Sequence, residues 1–322
     1  MTTNLDALTS VAEQFLQSLD AQQRTRAARP LEDPQRFNWN YMPANREGVP
    51  LADMTAKQRD CALALLRASL SSTGYEKALG IMRQEEVIGT LEKSSGPVRD
   101  PMRYYFCVYG EPSPLGRWAL GIEGHHLSVN LTMHSGRIVS ATPLFFGANP
   151  AQVFDNGGTS VSKGTRLLRD EEELGFQLIR ALDSPARSKA VASTTTPLDM
   201  QEIGKAQPRI PDRHGIAAAD LSPDQQETLL ALVRVVIGNG PPQVIDAAVQ
   251  KARAELASTF FTWAGATEPN KPHSWSIYGP SIVILLYTAQ SDPAGNPANH
   301  THLLWRTPSS DFGIGSADNL AQ

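Results

Sequence analysis

Apolar residues recur along this chain with two periods, and the switches between them mark its elements. Leu5, Leu8, Val11, Ala12, Phe15, Leu16 and Leu19 recur at helical spacing, which predicts one helix over about Leu5 to Arg24. Residues 28–53 interrupt the pattern with Pro30, Pro34, Pro43 and Pro50 around the cluster Phe37-Asn38-Trp39-Asn40-Tyr41. Proline at this density breaks helix and strand alike, so the segment is expected to be irregular, held on the body by its aromatic rings. Thr55 suits an N-cap for a helix carrying Leu63, Leu65, Leu66 and Leu70, and a further helix is predicted over about Tyr75 to Leu91. Strand signals follow at Tyr104 to Tyr109, Trp118 to Ile122, Leu127 to Thr132 and Ile138-Val139, with Ser135-Gly136-Arg137 as a hairpin turn. Asp170 to Leu182 reads as a helix with an acidic first turn.

Residues 184–216 lose the apolar periodicity and are rich in Ser, Thr, Pro and Ala, which predicts a linker. Helices are expected again after Ser222-Pro223 and over about Pro242 to Leu256, then strands at Thr259 to Trp263, Ser274 to Tyr278, Ile282 to Tyr287 and His302 to Arg306. The two halves thus follow one plan, and they align by residue. Tyr105 to Gly110 lies over Phe260 to Gly265, Gly124 over Gly279, Leu127 over Ile282 and Val129 over Ile284. The expected fold is α+β, built as two related helix-then-antiparallel-sheet repeats in a pseudo-two-fold arrangement. The expected division is 1–53 (N-terminal helix and irregular segment), 54–184 (first repeat), 185–216 (linker) and 217–322 (second repeat). Two independent small α+β domains joined at 185–216 are the alternative.

The 322 residues carry 29 basic and 33 acidic side chains, a net charge of −4, which offers no surplus to neutralise phosphates and argues against a nucleic-acid partner. The longest apolar runs fall short of the ~20 residues of a membrane span, and the first residues lack the pattern of a signal peptide, so a cytoplasmic protein without a membrane partner is expected. Two cysteines, Cys61 and Cys107, make neither a disulfide framework nor a CxxC motif. Assembly with identical chains is left open.

The chemistry concentrates in histidines, five of seven falling in two short stretches. On a strand, His126, Ser128, Asn130, Thr132 and His134 would share one face, while His300 and His302 would share a face of another. Imidazoles two apart on a strand can share one metal, and Zn, Fe or Cu suits such donors. A carboxylate such as Glu123, Glu268 or Asp311 would complete the set. Without a metal, a histidine pair with Asn130 and Arg306 could transfer protons and hold an anionic substrate. His214 reads as plain surface, and the Gly157-Gly158 stretch lacks the order of a phosphate loop.

Glu123-Gly124-His125-His126-Leu127-Ser128-Val129-Asn130 and Phe145-Phe146-Gly147-Ala148-Asn149-Pro150 resemble the signature of a bacterial and fungal family called domain of unknown function 3500. Later blocks resemble it too: Glu268-Pro269 with Pro272-His273 and Gly279-Pro280, and Asn299-His300-Thr301-His302 with Trp305-Arg306 and Asp311-Phe312-Gly313. The resemblance implies that His126, Asn130, His300, His302, Arg306 and Asp311 form one constellation. It implies acidic residues in the strand after Gly279-Pro280, where this chain has Leu285 and Tyr287. The candidate catalytic set is therefore His126, Asn130, Arg306 and Asp311, and the candidate metal ligands are His126, His300, His302 and Glu123. Three functions fit: a metal-dependent enzyme acting on a small polar or anionic molecule, a non-catalytic binder of a metal or small ligand in the same cleft, or a scaffold with structural histidines.

Overall fold

The computed structural model describes residues 4–93, 96–200, 202–210 and 215–315. The first half runs α1 (Asn4–Ser18), α2 (Ala21–Ala27), β1 (Ala28–Arg29), β2 (Val49–Pro50), α3 (Ala56–Ser69), α4 (Ser72–Leu91), β3 (Tyr105–Tyr109), β4 (Trp118–Gly124), β5 (Leu127–His134), β6 (Arg137–Ser140) and β7 (Leu144–Ala148). The second runs α5 (Arg169–Ala181), α6 (Ser184–Ala190), β8 (Val191–Ser193), β9 (Ile216–Ala217), α7 (Pro223–Ile237), α8 (Pro242–Ala254), β10 (Phe260–Gly265), β11 (His273–Tyr278), β12 (Val283–Gln290) and β13 (His300–Arg306). The mixed α+β class expected from the alternating periods is the class observed.

Two expectations need correction. The single helix over Leu5 to Arg24 is two helices, because Asp20 starts a new one. Its carboxylate accepts from the Gln23 amide at 2.8 Å, and the Gln23 side chain accepts from the Asp20 amide at 3.0 Å. The stretch after residue 184, read as lacking regular structure, opens with α6, which Asp183 caps through the Ala186 amide. It continues as β8, parallel to β10.

All the strands join one sheet in the order β1-β3-β4-β5-β7-β13-β12-β11-β10-β8, with β2 on β3, β6 on β5 and β9 on β10. The order reads alike from both edges toward a central β7–β13 seam. Each half has a parallel two- or three-residue strand at its outer edge, β1 or β8. Each also has a short antiparallel strand leading through one 3₁₀ turn to a capped helix. The caps are matching boxes, Thr55 with Gln58 and Ser222 with Gln225.

Strand alternation separates the two faces. Ile284, Leu286, Leu303 and Trp305 belong to the large core under the helices, where α1 packs on α3 and α5 on α7. Val283, Leu285 and Leu304 point the other way, into a smaller core with Trp39, Tyr41, Phe145, Met200 and Phe312. Among the described residues that face carries no α-helical layer, only short 3₁₀ turns such as Pro34–Phe37. Two irregular segments, around 30–48 and 194–210, cover it and fasten to each other. The Gly204 amide donates to the Trp39 carbonyl at 3.0 Å, and the Trp39 indole donates to the Lys205 carbonyl at 3.2 Å. The candidate residues lie beneath these segments.

Candidate metal centre

His126 does not stand on β5, as strict alternation predicts, but in the turn before it, with a positive φ of 61°. Its amide donates to the Tyr41 carbonyl at 3.0 Å, and its carbonyl accepts from the Gly147 amide at 2.7 Å. This anchoring lays the ring over Gly147 of β7, which lies opposite His302 in the β7–β13 register. A Cβ on Gly147 would come within 2.8 Å of the His126 ring, so the absent side chain is what lets histidines from two strands meet across a third.

His126 Nε2 lies 2.9 Å from His300 Nε2 and 3.2 Å from His302 Nε2. One ligand atom from each of the three falls within 4.8 Å of the others, and together they could hold a metal ion. An ion about 2.0–2.1 Å from each imidazole nitrogen in a tetrahedral shell keeps those nitrogens about 3.3 Å apart, close to the spacing here. His126 and His302 are buried and His300 is half-buried. Burial, the first cause, and the neighbouring imidazoles push the pKa of His126 and His300 well below the usual histidine range, so both present neutral lone pairs.

Neighbouring groups orient the rings. Asp199 Oδ1 accepts from His302 Nδ1 at 2.7 Å, leaving Nε2 free to ligate, and the Tyr41 hydroxyl donates to Asp199 Oδ2 at 3.2 Å. His125 stacks on His126 with centroids 3.7 Å apart, and Glu85 on α4 bonds His125 Nδ1. Burial raises the Glu85 carboxyl to about 8 and holds His125 well below its ordinary value, a pair best described as neutral. Glu85 has a sequence signal that was missed: it stands on the same helical stripe as Ala78, Ile81 and Ile88, an acid where apolar residues repeat. Asp199 has no comparable signal, being placed by an irregular segment.

The other candidates are not drawn into the imidazole cluster. Glu123 accepts from Ser128 Oγ at 2.7 Å and pairs with Arg46 at 3.6 Å. Asn130 donates to Ser128 Oγ at 2.9 Å and to the Pro143 carbonyl at 3.0 Å, and with Glu123 it lines a separate cavity. Arg306 is fully buried, donating from Nε to Asp311 and from Nη1 to Glu202, each at 2.7 Å, and from Nη2 to the Lys205 carbonyl at 2.6 Å. Leu304, with Tyr41 and Phe145 stacked 4.1 Å apart, belongs to the apolar cluster on the face between His302 and this ionic knot. Tyr287, where the family pattern implies an acid, is the β12 residue paired with His302. Glu268 is exposed beside Lys271. His134 stands at the far end of β5, and His273 is packed between Trp263 and Phe176. His214 lies outside the described residues.

Fold and site together define a mixed α+β protein with three convergent imidazoles at the seam of one large sheet. The chain belongs to the family described as protein of unknown function (DUF3500), whose model matches residues 2–314. No curated protein and no solved structure matches it. Among the described residues, no helix is long and apolar enough to cross a membrane.

Proposed function

We propose that this protein is a metal-dependent enzyme acting on a small polar or anionic molecule, with His126, His300 and His302 holding one transition-metal ion. The observation that carries the reading is the approach of His126 Nε2 to the Nε2 atoms of His300 and His302 at 2.9 and 3.2 Å, while Asp199 engages His302 on its other nitrogen. A bound Zn, Fe or Cu ion would supply a Lewis acid to polarise a substrate oxygen or lower the pKa of water. Asp199 fixes the tautomer and angle of His302, and His300, half-buried, marks the side from which a substrate arrives. Arg306 and Asp311 lie outside the donor set and act on the fold instead, tying Glu202 and Lys205 to the end of β13.

The same reading includes an ancient duplication, with the ligand set at the joint of repeats 54–184 and 217–322. The mirrored strand order about the β7–β13 seam and the paired capping boxes support it. A second reading, storage or structural binding of the metal without turnover, is favoured by one observation: His126 and His302 are each only 3% exposed.

Elemental analysis of protein purified without a histidine tag tests the centre. About one equivalent of a transition metal is expected, lost in a His300→Ala, His302→Ala double variant. No retained metal, or equal content in the variant, overturns the proposal. A turnover screen of the metal-loaded protein then separates enzyme from binder.

A further inference from the structure

Glu123 and Asn130, expected from sequence beside the imidazoles, instead line a cavity of about 260 Å³ under the 30–48 segment. We infer that this cavity is a second binding site, for a small neutral polyhydroxylated molecule of the monosaccharide or polyol class. None of His126, His300 and His302 lines this cavity, and Asn130 lies within β5 whereas His126 stands in the turn before it, so the cavity is separate from the imidazole cluster. The inference therefore stands apart from the proposed metal chemistry.

The cavity's charges already have partners. Arg46 faces Glu123 and is held by the carbonyls of Asn40, Met42 and Ala44. Arg36 donates from Nη2 to Thr132 Oγ1 and the Phe312 carbonyl, its buried Nε alone making no bond among the described residues, and Glu47 lies 3.3 Å from Arg29. The other free groups are neutral. Asn130 Oδ1 accepts from no described residue, its nitrogen being engaged with Ser128 and Pro143. Asn40 and Asn45 each use their side-chain oxygen as an acceptor, Asn40 from the Met42 amide and Asn45 from the Tyr105 hydroxyl and Arg103, and keep an amide nitrogen that makes no bond among the described residues. Isolated donors and acceptors at several points of a small cavity match a ligand whose hydroxyls do both. Gly121 on β4 leaves the floor bare, and the volume is that of roughly nine waters, enough for a five- or six-carbon polyol.

Gly121 also provides the test. A Cβ there would meet Tyr109 at 3.5 Å and Asn130 Oδ1 at 3.7 Å, ordinary contacts, so Gly121→Ala intrudes on the cavity without straining the sheet. Calorimetric titration of the full chain with D-glucose, D-ribose and myo-inositol, and with D-gluconate as the anionic arm, is the experiment. At least one neutral compound is expected to bind, with Kd raised about tenfold or more in both Gly121→Ala and Asn130→Ala, and little changed in the His300→Ala, His302→Ala variant. Circular dichroism of each variant confirms its fold. The inference is overturned if no neutral compound binds, if gluconate binds more tightly than all of them, if Gly121→Ala leaves Kd unchanged in a folded protein, or if binding is lost with the two histidines. Because the readout does not involve a metal, its failure is distinct from failure of the metal centre.

Discussion

β13 carries two buried polar assemblies on one face, and they are built on opposite principles. At Arg306 every contact joins opposite charges or a donor to an acceptor: one guanidinium, two carboxylates and a carbonyl close the set. At His302 like meets like, three imidazole nitrogens turned toward one point with only His302 backed by a carboxylate. The first arrangement is complete in itself and holds a fold together. The second gathers neutral lone pairs on one point, the donor chemistry that could hold a transition-metal ion.

The comparison breaks most visibly at the knot. Arg306→Met leaves Glu202 and Asp311 buried without their cation and is expected to lower stability by about 3–5 kcal/mol in a denaturant titration, with little change in metal content per folded molecule. An effect under about 1 kcal/mol would show that the knot is not structural. The next effect is at the cluster. Gly147→Ala sets a methyl against the His126 ring and should cost about 1–3 kcal/mol of stability, while also reducing metal content, a double loss the knot variant does not show.

Asp199→Asn should leave stability nearly unchanged but weaken metal affinity about 10–100-fold, read by competition with a chelator, since only the backing of His302 is altered. The smallest effect is a slope. Glu85 holds its proton to about pH 8 when folded, whereas an unfolded carboxyl releases it near its ordinary value of 4.5. Between those values the folded state carries the extra proton, so this group's contribution to stability falls as pH rises through the window. Glu85→Gln, which cannot titrate, should remove this downward slope between pH 4.5 and about 8. An unchanged curve would mean that Glu85 is ionised in the fold.

Periodicity made the main strands and most helices legible, because each buries one face and must repeat at 2 or 3.6 residues. Spacing pairs His300 with His302, and the family blocks imply that His126 joins them, as the structure places it. What pattern reading missed was placed by turns and cover segments, where local spacing carries no directional information. Asp199 arrives on an irregular stretch. His126 reaches its partners through a left-handed turn, and Glu123 and Asn130 were assigned to the wrong neighbourhood because a shared strand face extends farther than a single site. Arg306 and Asp311 are expected from sequence beside the histidines, yet they pair with each other, and the remaining partners of the guanidinium are Glu202 and Lys205, a hundred residues away in the chain.

His126 and its two partners are separated by 174 and 176 residues of chain. No early folding intermediate can own the complete donor set, since the closing of the central seam brings its halves together and β13 is made last among the strands. An ion held there would therefore not template the fold as it does in a zinc finger. It would enter a finished protein, and each newly synthesised molecule would pass through a metal-free period whose length depends on supply rather than on folding.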